Sequence, residues 1–170
     1  MAARTKDDIL HYQERFDEAH DALYRWDMGA AAYLIGGGCS DDSFMDFRAG
    51  LIALRCDRYE KAAACPDSLA DHPAVIAAAE VHRDEAFFCG EVDYAASAAF
   101  ERITGDSEDF HEAWDKHRAS RKRFGQGAEG MGEVFDFDDP REMRCRLPRL
   151  TALYPRETPR QTSPSSDAAM

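Results

Sequence analysis

The sequence predicts an all-α protein: a single-domain helical bundle of five to seven helices with a disordered C-terminal tail. Hydrophobic residues form 44% of the 170 residues, which is enough for one core. Apolar residues recur at spacings of three and four along most of the chain, as in amphipathic helices. Residues 156–170 are rich in Pro, Ser and Thr and predict the tail, so the helical domain spans residues 1–155.

The first predicted helix begins after Thr5, a suitable N-cap with Asp8 three residues further on. Its apolar stripe steps by three and four through Ile9, Tyr12, Phe16, Ala19, Leu23 and Trp26. The apolar run GAAAYLI continues the helix to Ile35. Three glycines then end it, since glycine is favoured just past a helix C-terminus.

The second predicted helix begins at Ser40, with Asp41 and Asp42 in the first turn, where the helix dipole favours negative charge. Its buried stripe consists of Phe44, Phe47, Leu51 and Leu54. A short helix, DRYEKAAA, stops before Pro66, and a loop follows.

Residues 73–103 are predicted to be helical, with Pro73 in the first turn and Gly90 as a point of division. Gly105 is then a C-cap and Ser107 an N-cap for a helix to about residue 124. A glycine-rich loop precedes EVFDFDDP, a candidate extended piece. The last helix, residues 140–154, is capped by Asp139 and interrupted by Pro148.

The charge and hydropathy of the chain exclude several classes of partner. The net charge is −12, which disfavours nucleic acid because phosphate backbones need clustered Lys and Arg. The basic stretches KHRASRKR and Arg141 to Arg149 are interpreted as solvated helix faces. No run of about 18 apolar residues and no secretory h-region occurs, so we expect a cytoplasmic protein without membrane contact.

Five cysteines occur without a CxxC pair, at positions Cys39, Cys56, Cys65, Cys89 and Cys145. The odd number argues against a disulfide framework, and the spacing argues against a structural zinc site. We expect reduced thiols and no cofactor.

The stretch YLIGGGCSDDSF, residues 33–44, is the most distinctive motif, and we interpret it as a corner between two helices. A phosphate loop is disfavoured because the stretch follows a helix, carries no Lys and has acidic residues at the next helix start. A hard-cation site using Asp41, Asp42 and Asp46 lacks the spacing of an EF-hand loop.

Several residues around this corner are candidate ligand-binding residues. A thiol at a helix start has a lowered pKa, but the neighbouring aspartates oppose that shift. The arginine within the apolar stripe needs a carboxylate partner, for which Asp27, Asp41 and Asp42 are candidates. The candidate set is Trp26, Asp27, Cys39, Ser40, Asp41, Asp42 and Arg48.

Two carboxylate–histidine pairs suggest a weaker alternative, a metal site. Asp17 and His20, and Glu108 and His111, each place a carboxylate and an imidazole on one helix face. Di-iron bundles use two such Glu-x-x-His pairs with two further glutamates. The first pair departs from that pattern by using Asp, and about one such pair is expected by chance in so acidic a chain.

Four stretches of the chain carry a resemblance to a known family: LYRWDMGAAAYLIGGGCSDDSFMDFRAGLI, YEKAAACPDSLA, EVDYAASAAFERITG and FDFDDPREMRCRLPRLTALYP. In these stretches the chain resembles the bacterial domain-of-unknown-function family number 4240. The resemblance implies an acidic, mostly helical bacterial cytoplasmic protein, with no activity established for the family. Gly29 stands where an aromatic residue is common, which would leave space near the corner, and only Cys39 belongs to the shared motif.

The sequence leaves the function open between three hypotheses. The first is a non-catalytic binding or regulatory protein that acts on a protein or small-molecule partner, because no recognised catalytic constellation occurs. The second is an enzyme of bacterial specialised metabolism with a pocket at the helix corner. The third is a metalloprotein that uses the carboxylate–histidine pairs.

Overall fold

A computed structural model describes residues 5–81, 86–106, 108–120 and 130–155. These residues form nine α-helices and two 3₁₀-helices and contain no strand. The α-helices are α1 (Lys6–Ala22), α2 (Trp26–Ile35), α3 (Asp41–Ile52), α4 (Cys56–Ala64), α5 (Pro73–Glu80), α6 (Ala95–Thr104), α7 (Glu108–Ser120), α8 (Pro140–Arg146) and α9 (Pro148–Leu153). The 3₁₀-helices are Pro66–Asp71 and Gly90–Val92.

The all-α prediction is confirmed for these residues, but the predicted count of five to seven helices is too low. The predicted first helix is in fact two helices, because α1 ends at Ala22 and Trp26 begins α2. The break is hidden in the sequence because Leu23 and Trp26 both fit the periodic stripe. Within the predicted helix over residues 73–103, the described residues form α5, which ends at Glu80, the 3₁₀-helix Gly90–Val92 and then α6 from Ala95.

The predicted caps that lie in the described residues are confirmed. Thr5 and Asp8 form a reciprocal capping box, and the Ser40 hydroxyl accepts a hydrogen bond from the Ser43 N–H. Gly105 ends α6 in the left-handed conformation, and Asp139 caps α8. Pro148 separates α8 from α9 as expected. The predicted cap at residue 107, the end of the helix after residue 120 and the tail fall outside the described residues.

Helix α2 lies at the centre of the larger hydrophobic core. Its residues Met28, Ala30, Ala31, Ala32 and Ile35 have no exposed surface, and Leu34 is only 4% exposed. Helices α3 and α9 and the first 3₁₀-helix pack against it. Helix α2 is therefore enclosed by α3, which follows it directly in the chain, and by two elements that are distant in the sequence.

A smaller core joins α1, α6 and α7. It consists of Ile9, Leu10, Ala96, Phe100 and Phe110, with Trp114 packed against it. The two cores are separate clusters, and α1 contacts both α3 and the α6–α7 pair.

A buried carboxylate holds α9 against the larger core. Asp67, 7% exposed, accepts hydrogen bonds from the backbone N–H groups of Arg149 and Leu150, each at 3.0 Å. These are first-turn N–H groups of α9, which have no partner within their own helix. Asp67 thus caps α9 from a distant part of the chain.

The backbone of Phe87 lies directly on α3 at Gly50. A Cβ placed on Gly50 would lie 1.7 Å from the Phe87 carbonyl oxygen, which no side chain can tolerate. Phe87 itself has a φ of 74°, a left-handed conformation that is unfavourable for a bulky residue. Gly50 is therefore required by the close approach of these two backbones.

We predict opposite effects on stability for alanine at two buried glycines. Gly50→Ala should reduce the free energy of unfolding by about 2 kcal/mol or more, because the Phe87 segment must move. Gly29→Ala is the matched control, since its Cβ would lie 3.5 Å from the Phe137 ring, an ordinary contact. Alanine there should stabilise α2 by about 0.5–1 kcal/mol. Urea denaturation measures the free energy of unfolding of both variants. Equal destabilisation by the two would contradict the conclusion that the Phe87 backbone requires glycine at position 50.

Candidate ligand pocket at the helix corner

A cavity of about 290 Å³ lies at the corner between α2 and α3. One part of its wall is aromatic and consists of Tyr24, Trp26, Phe44 and Phe137. The polar part consists of Arg25, Cys39, Ser40 and Asp41, and Gly29 and Met131 complete the lining. Apolar walls with a few convergent polar groups are typical of small-molecule sites.

The glycine turn between α2 and α3 places the polar part of this wall. Gly37 and Gly38 have φ values of 62° and 144°, in the left-handed region that favours glycine. Ser40 then caps α3, and Asp41 occupies its first turn. The corner interpretation of this stretch therefore matches the structure.

Gly29 and the segment around Met131 form the other side of the cavity. Gly29 has no side chain, and a Cβ placed on it would lie 3.5 Å from the Phe137 ring and 3.9 Å from the Phe44 ring. The Trp26 N–H donates a hydrogen bond to the Met131 carbonyl at 2.9 Å, which holds the segment against the start of α2.

Four of the seven predicted ligand-binding residues line this cavity: Trp26, Cys39, Ser40 and Asp41. Asp27 instead holds the Arg25 guanidinium, with N–O distances of 3.0 and 3.1 Å. Asp42 lines a different, acidic cavity next to α1. The structure thus brings together part of the predicted set and separates the rest.

Cys39 lies in an environment that disfavours its thiolate. The thiol is half-buried, and its Sγ donates to the Ser40 carbonyl at 3.5 Å. Burial raises the pKa of Cys39, and the Asp41 carboxylate raises that pKa further. The helix N-terminus does not produce an activated nucleophile here.

Arg48 is buried, but its guanidinium does not pair with a carboxylate in the described residues, contrary to the expectation for Asp27, Asp41 or Asp42. It donates to the His20 carbonyl at 3.0 Å and to the Phe44 carbonyl at 3.4 Å. Its guanidinium carbon also lies 4.9 Å from the Tyr24 ring centre and 4.7 Å from that of Phe44. Burial lowers the pKa of Arg48. Arg48 therefore orients two aromatic walls of the pocket from behind.

The predicted metal ligands Asp17, His20, Glu108 and His111 do not form a ligand group of three or more in the described residues. Asp17 accepts a hydrogen bond from Gln13 at 2.7 Å, and His20 Nε2 lies 3.3 Å from the Met45 carbonyl oxygen. Both line the acidic cavity with Asp42, Asp46 and Asp93. Glu108 and His111 are exposed on α7.

Sequence reasoning missed the remaining pocket residues Tyr24, Arg25, Phe44, Met131 and Phe137 as site residues. Tyr24 and Arg25 lie in the break between α1 and α2, which the periodicity concealed. Met131 and Phe137 come from a segment far along the chain, and no local pattern links that segment to the corner.

The described residues define a mostly helical protein with a small, partly aromatic pocket at the corner between α2 and α3. The chain belongs to the family described as protein of unknown function DUF4240, whose model matches residues 1–102. The match includes α1 to α5, most of α6 and every pocket residue except Met131 and Phe137. It ends before the last stretch of the expected resemblance.

No curated protein and no solved structure was found to match the chain. Among the described residues, no helix combines the length and the apolar character that a membrane span requires.

We predict that Cys39 alkylates slowly at neutral pH and that Asp41 contributes to this protection. Asp41→Asn removes one cause of the raised pKa, so iodoacetamide should react roughly twofold faster with Cys39. Asp42→Asn is the matched control, because Asp42 faces the neighbouring acidic cavity. Peptide mass spectrometry over a pH series measures the rate, and equal acceleration by both variants would contradict the prediction.

We predict that His20 makes the protein less stable as the pH falls below 6.5. Burial lowers the pKa of His20 from its ordinary value of 6.5, and the Arg48 charge lowers it further. The folded state then binds fewer protons than the unfolded chain in that range, so the free energy of unfolding decreases with falling pH.

His20→Gln should therefore reduce the slope of the free energy of unfolding against pH in the range below pH 6.5. Burial also lowers the pKa of His72, so part of the slope should persist until both residues are replaced. Burial raises the pKa of Asp17 and of Asp93 above the ordinary value of 3.8. Above pH 3.8 these two residues therefore have the opposite effect, because they lower the free energy of unfolding as the pH rises. Urea denaturation at each pH provides the slope, and an unchanged slope in His20→Gln would show the prediction to be wrong.

Proposed function

We propose that this protein is a non-catalytic binding protein that holds a small molecule in the corner cavity. The observation that carries the proposal is the aromatic wall of that cavity, next to a polar edge at the start of α3. Its volume of about 290 Å³ is near the lower limit for small-molecule pockets. A ligand about the size of a substituted benzene ring fits this space.

The walls favour a planar apolar ligand body. The Trp26 and Phe137 rings lie 5.6 Å apart at 70°, and the Tyr24 and Phe44 rings lie 6.0 Å apart at 30°. Aromatic surfaces in such arrangements provide faces and edges for a further ring. Arg48 packs behind the Tyr24 and Phe44 rings, so all four rings of the wall are candidates for direct contact with the ligand.

The polar edge favours a positively charged substituent on that ligand. The Arg25 guanidinium is held by Asp27, whereas the exposed Asp41 carboxylate faces the cavity edge at the start of α3. The chain as a whole carries a net charge of −12, which attracts cations over longer distances. We therefore propose a small aromatic amine as the ligand class.

The environment of Cys39 supports binding rather than catalysis. Covalent catalysis needs a thiol activated by a base or a lowered pKa. Here the Cys39 pKa is raised, and no histidine from the described residues lines the cavity. These observations favour the binding hypothesis over an enzyme of specialised metabolism.

The test is a titration with three probes that share one ring and differ in charge: phenethylamine, 2-phenylethanol and phenylacetate. The chain has two tryptophans, so a Trp114→Phe background leaves Trp26 as the fluorescence reporter at the cavity. We expect phenethylamine to bind most tightly and phenylacetate least tightly, because Asp41 attracts the amine and repels the carboxylate.

Two variants at Gly29 link the signal to the cavity. Gly29→Phe should reduce phenethylamine affinity at least about tenfold by filling the space, whereas Gly29→Ala should leave binding largely intact. Asp41→Asn should reduce the preference for the amine over the alcohol. Equal binding of all three probes, or undiminished binding to Gly29→Phe, would contradict the proposed function.

A further inference from the structure

Three potential metal ligands meet where α1 packs against α7, away from the corner cavity. They are His11, Glu14 and His117, and their ligand atoms all lie within 4.8 Å of one another. His11 and Glu14 are three residues apart on α1, so they share one helix face. His117 approaches them from α7. None of these three residues belongs to the predicted carboxylate–histidine pairs.

The spacing of the inner two residues matches that of ligands around one ion. Glu14 Oε2 lies 3.5 Å from His117 Nε2. In a tetrahedral zinc site with bonds of about 2.0–2.2 Å, ligand atoms are about 3.3–3.5 Å apart. His11 is exposed, and its ligand atom lies within 4.8 Å of those of Glu14 and His117, so a third bond requires only a short side-chain movement.

His117 presents an unsatisfied nitrogen to this position. Its Nε2 is buried and makes no hydrogen bond in the described residues, since 3.5 Å to Glu14 is long for one. Buried polar atoms without a partner are rare and call for an explanation. A cation between the imidazole and the carboxylate would satisfy this nitrogen.

The surroundings hold the two inner ligands in place. The side chains of His117 and Glu14 are only 14% and 6% exposed. The Trp114 ring stacks on the His117 ring at 5.4 Å and 18°, and the His11 ring meets it edge-on at 5.5 Å. Ligands whose rings are fixed by packing lose little freedom when an ion binds.

We infer that His11, Glu14 and His117 form a binding site for a divalent transition-metal cation, with Zn²⁺ as the expected ion. Imidazole and carboxylate ligands suit Zn²⁺, and three protein ligands leave one position for water. This site is independent of the corner pocket, because it lies on the smaller core and shares no lining residue with that cavity.

The test is a Zn²⁺ titration of the full chain by calorimetry, after iodoacetamide has blocked the exposed thiols. Blocking is needed because Cys56, Cys65, Cys89 and Cys145 are exposed and would bind zinc themselves. We expect one Zn²⁺ per chain. X-ray absorption at the zinc edge should show two imidazole ligands with a carboxylate oxygen and no sulfur.

Three variants assign the site. His11→Ala and Glu14→Gln should each weaken Zn²⁺ binding about 100-fold, because each removes a direct ligand. His111→Ala, an exposed histidine on α7 outside the group, is the matched control and should bind like the wild type. Circular dichroism shows whether each variant is folded. Because His11 is exposed, His11→Ala should fold and therefore tests the zinc site even if Glu14→Gln unfolds.

The absence of Zn²⁺ binding by the alkylated wild-type chain would overturn the inference. Unchanged affinity in His11→Ala would overturn it as well, and would leave Glu14 and His117 as a simple ion pair. Neither result affects the phenethylamine titration, which reports on a different part of the molecule.

Discussion

The enclosure of α2 is the packing constraint on which the larger core depends. Its run of alanines, Ala30 to Ala32, has no exposed surface, so neighbouring elements approach the helix backbone closely. A larger side chain there would overpack the core. Because α2 is held in this way, one of its ends presents Trp26 and Gly29 to the cavity and the other leads into the glycine turn.

The corner pocket follows from that constraint together with Arg48. The arginine has no carboxylate partner in the described structure, and it instead uses two backbone carbonyls and two aromatic rings. Its contact with the His20 carbonyl ties the end of α1 to α3, and its contacts with Tyr24 and Phe44 set the back of the pocket. The buried Arg48 guanidinium therefore positions residues of the pocket without lining the cavity itself.

Helix α1 connects the two regions in which we place ligands. Its C-terminal end carries His20, which contacts Arg48 behind the aromatic wall. Its N-terminal half carries His11 and Glu14, which face His117 on α7. The family match covers the α1 ligands and most of the pocket, but it ends before α7 and Phe137. The complete sites therefore combine matched residues with residues outside the match.

The sequence by itself determined the all-α class, the caps at Thr5, Ser40, Gly105 and Asp139, and the helix corner, because these signals act over three or four residues. It also indicated four pocket residues, which lie close to that corner. Only the tertiary structure decided the helix break before Trp26 and the contact of the Phe87 backbone with Gly50. It also decided that Phe137 lines the corner cavity and that His11 lies close to His117. Those features depend on contacts between distant segments, and periodicity within one segment carries no information about which segment packs against it.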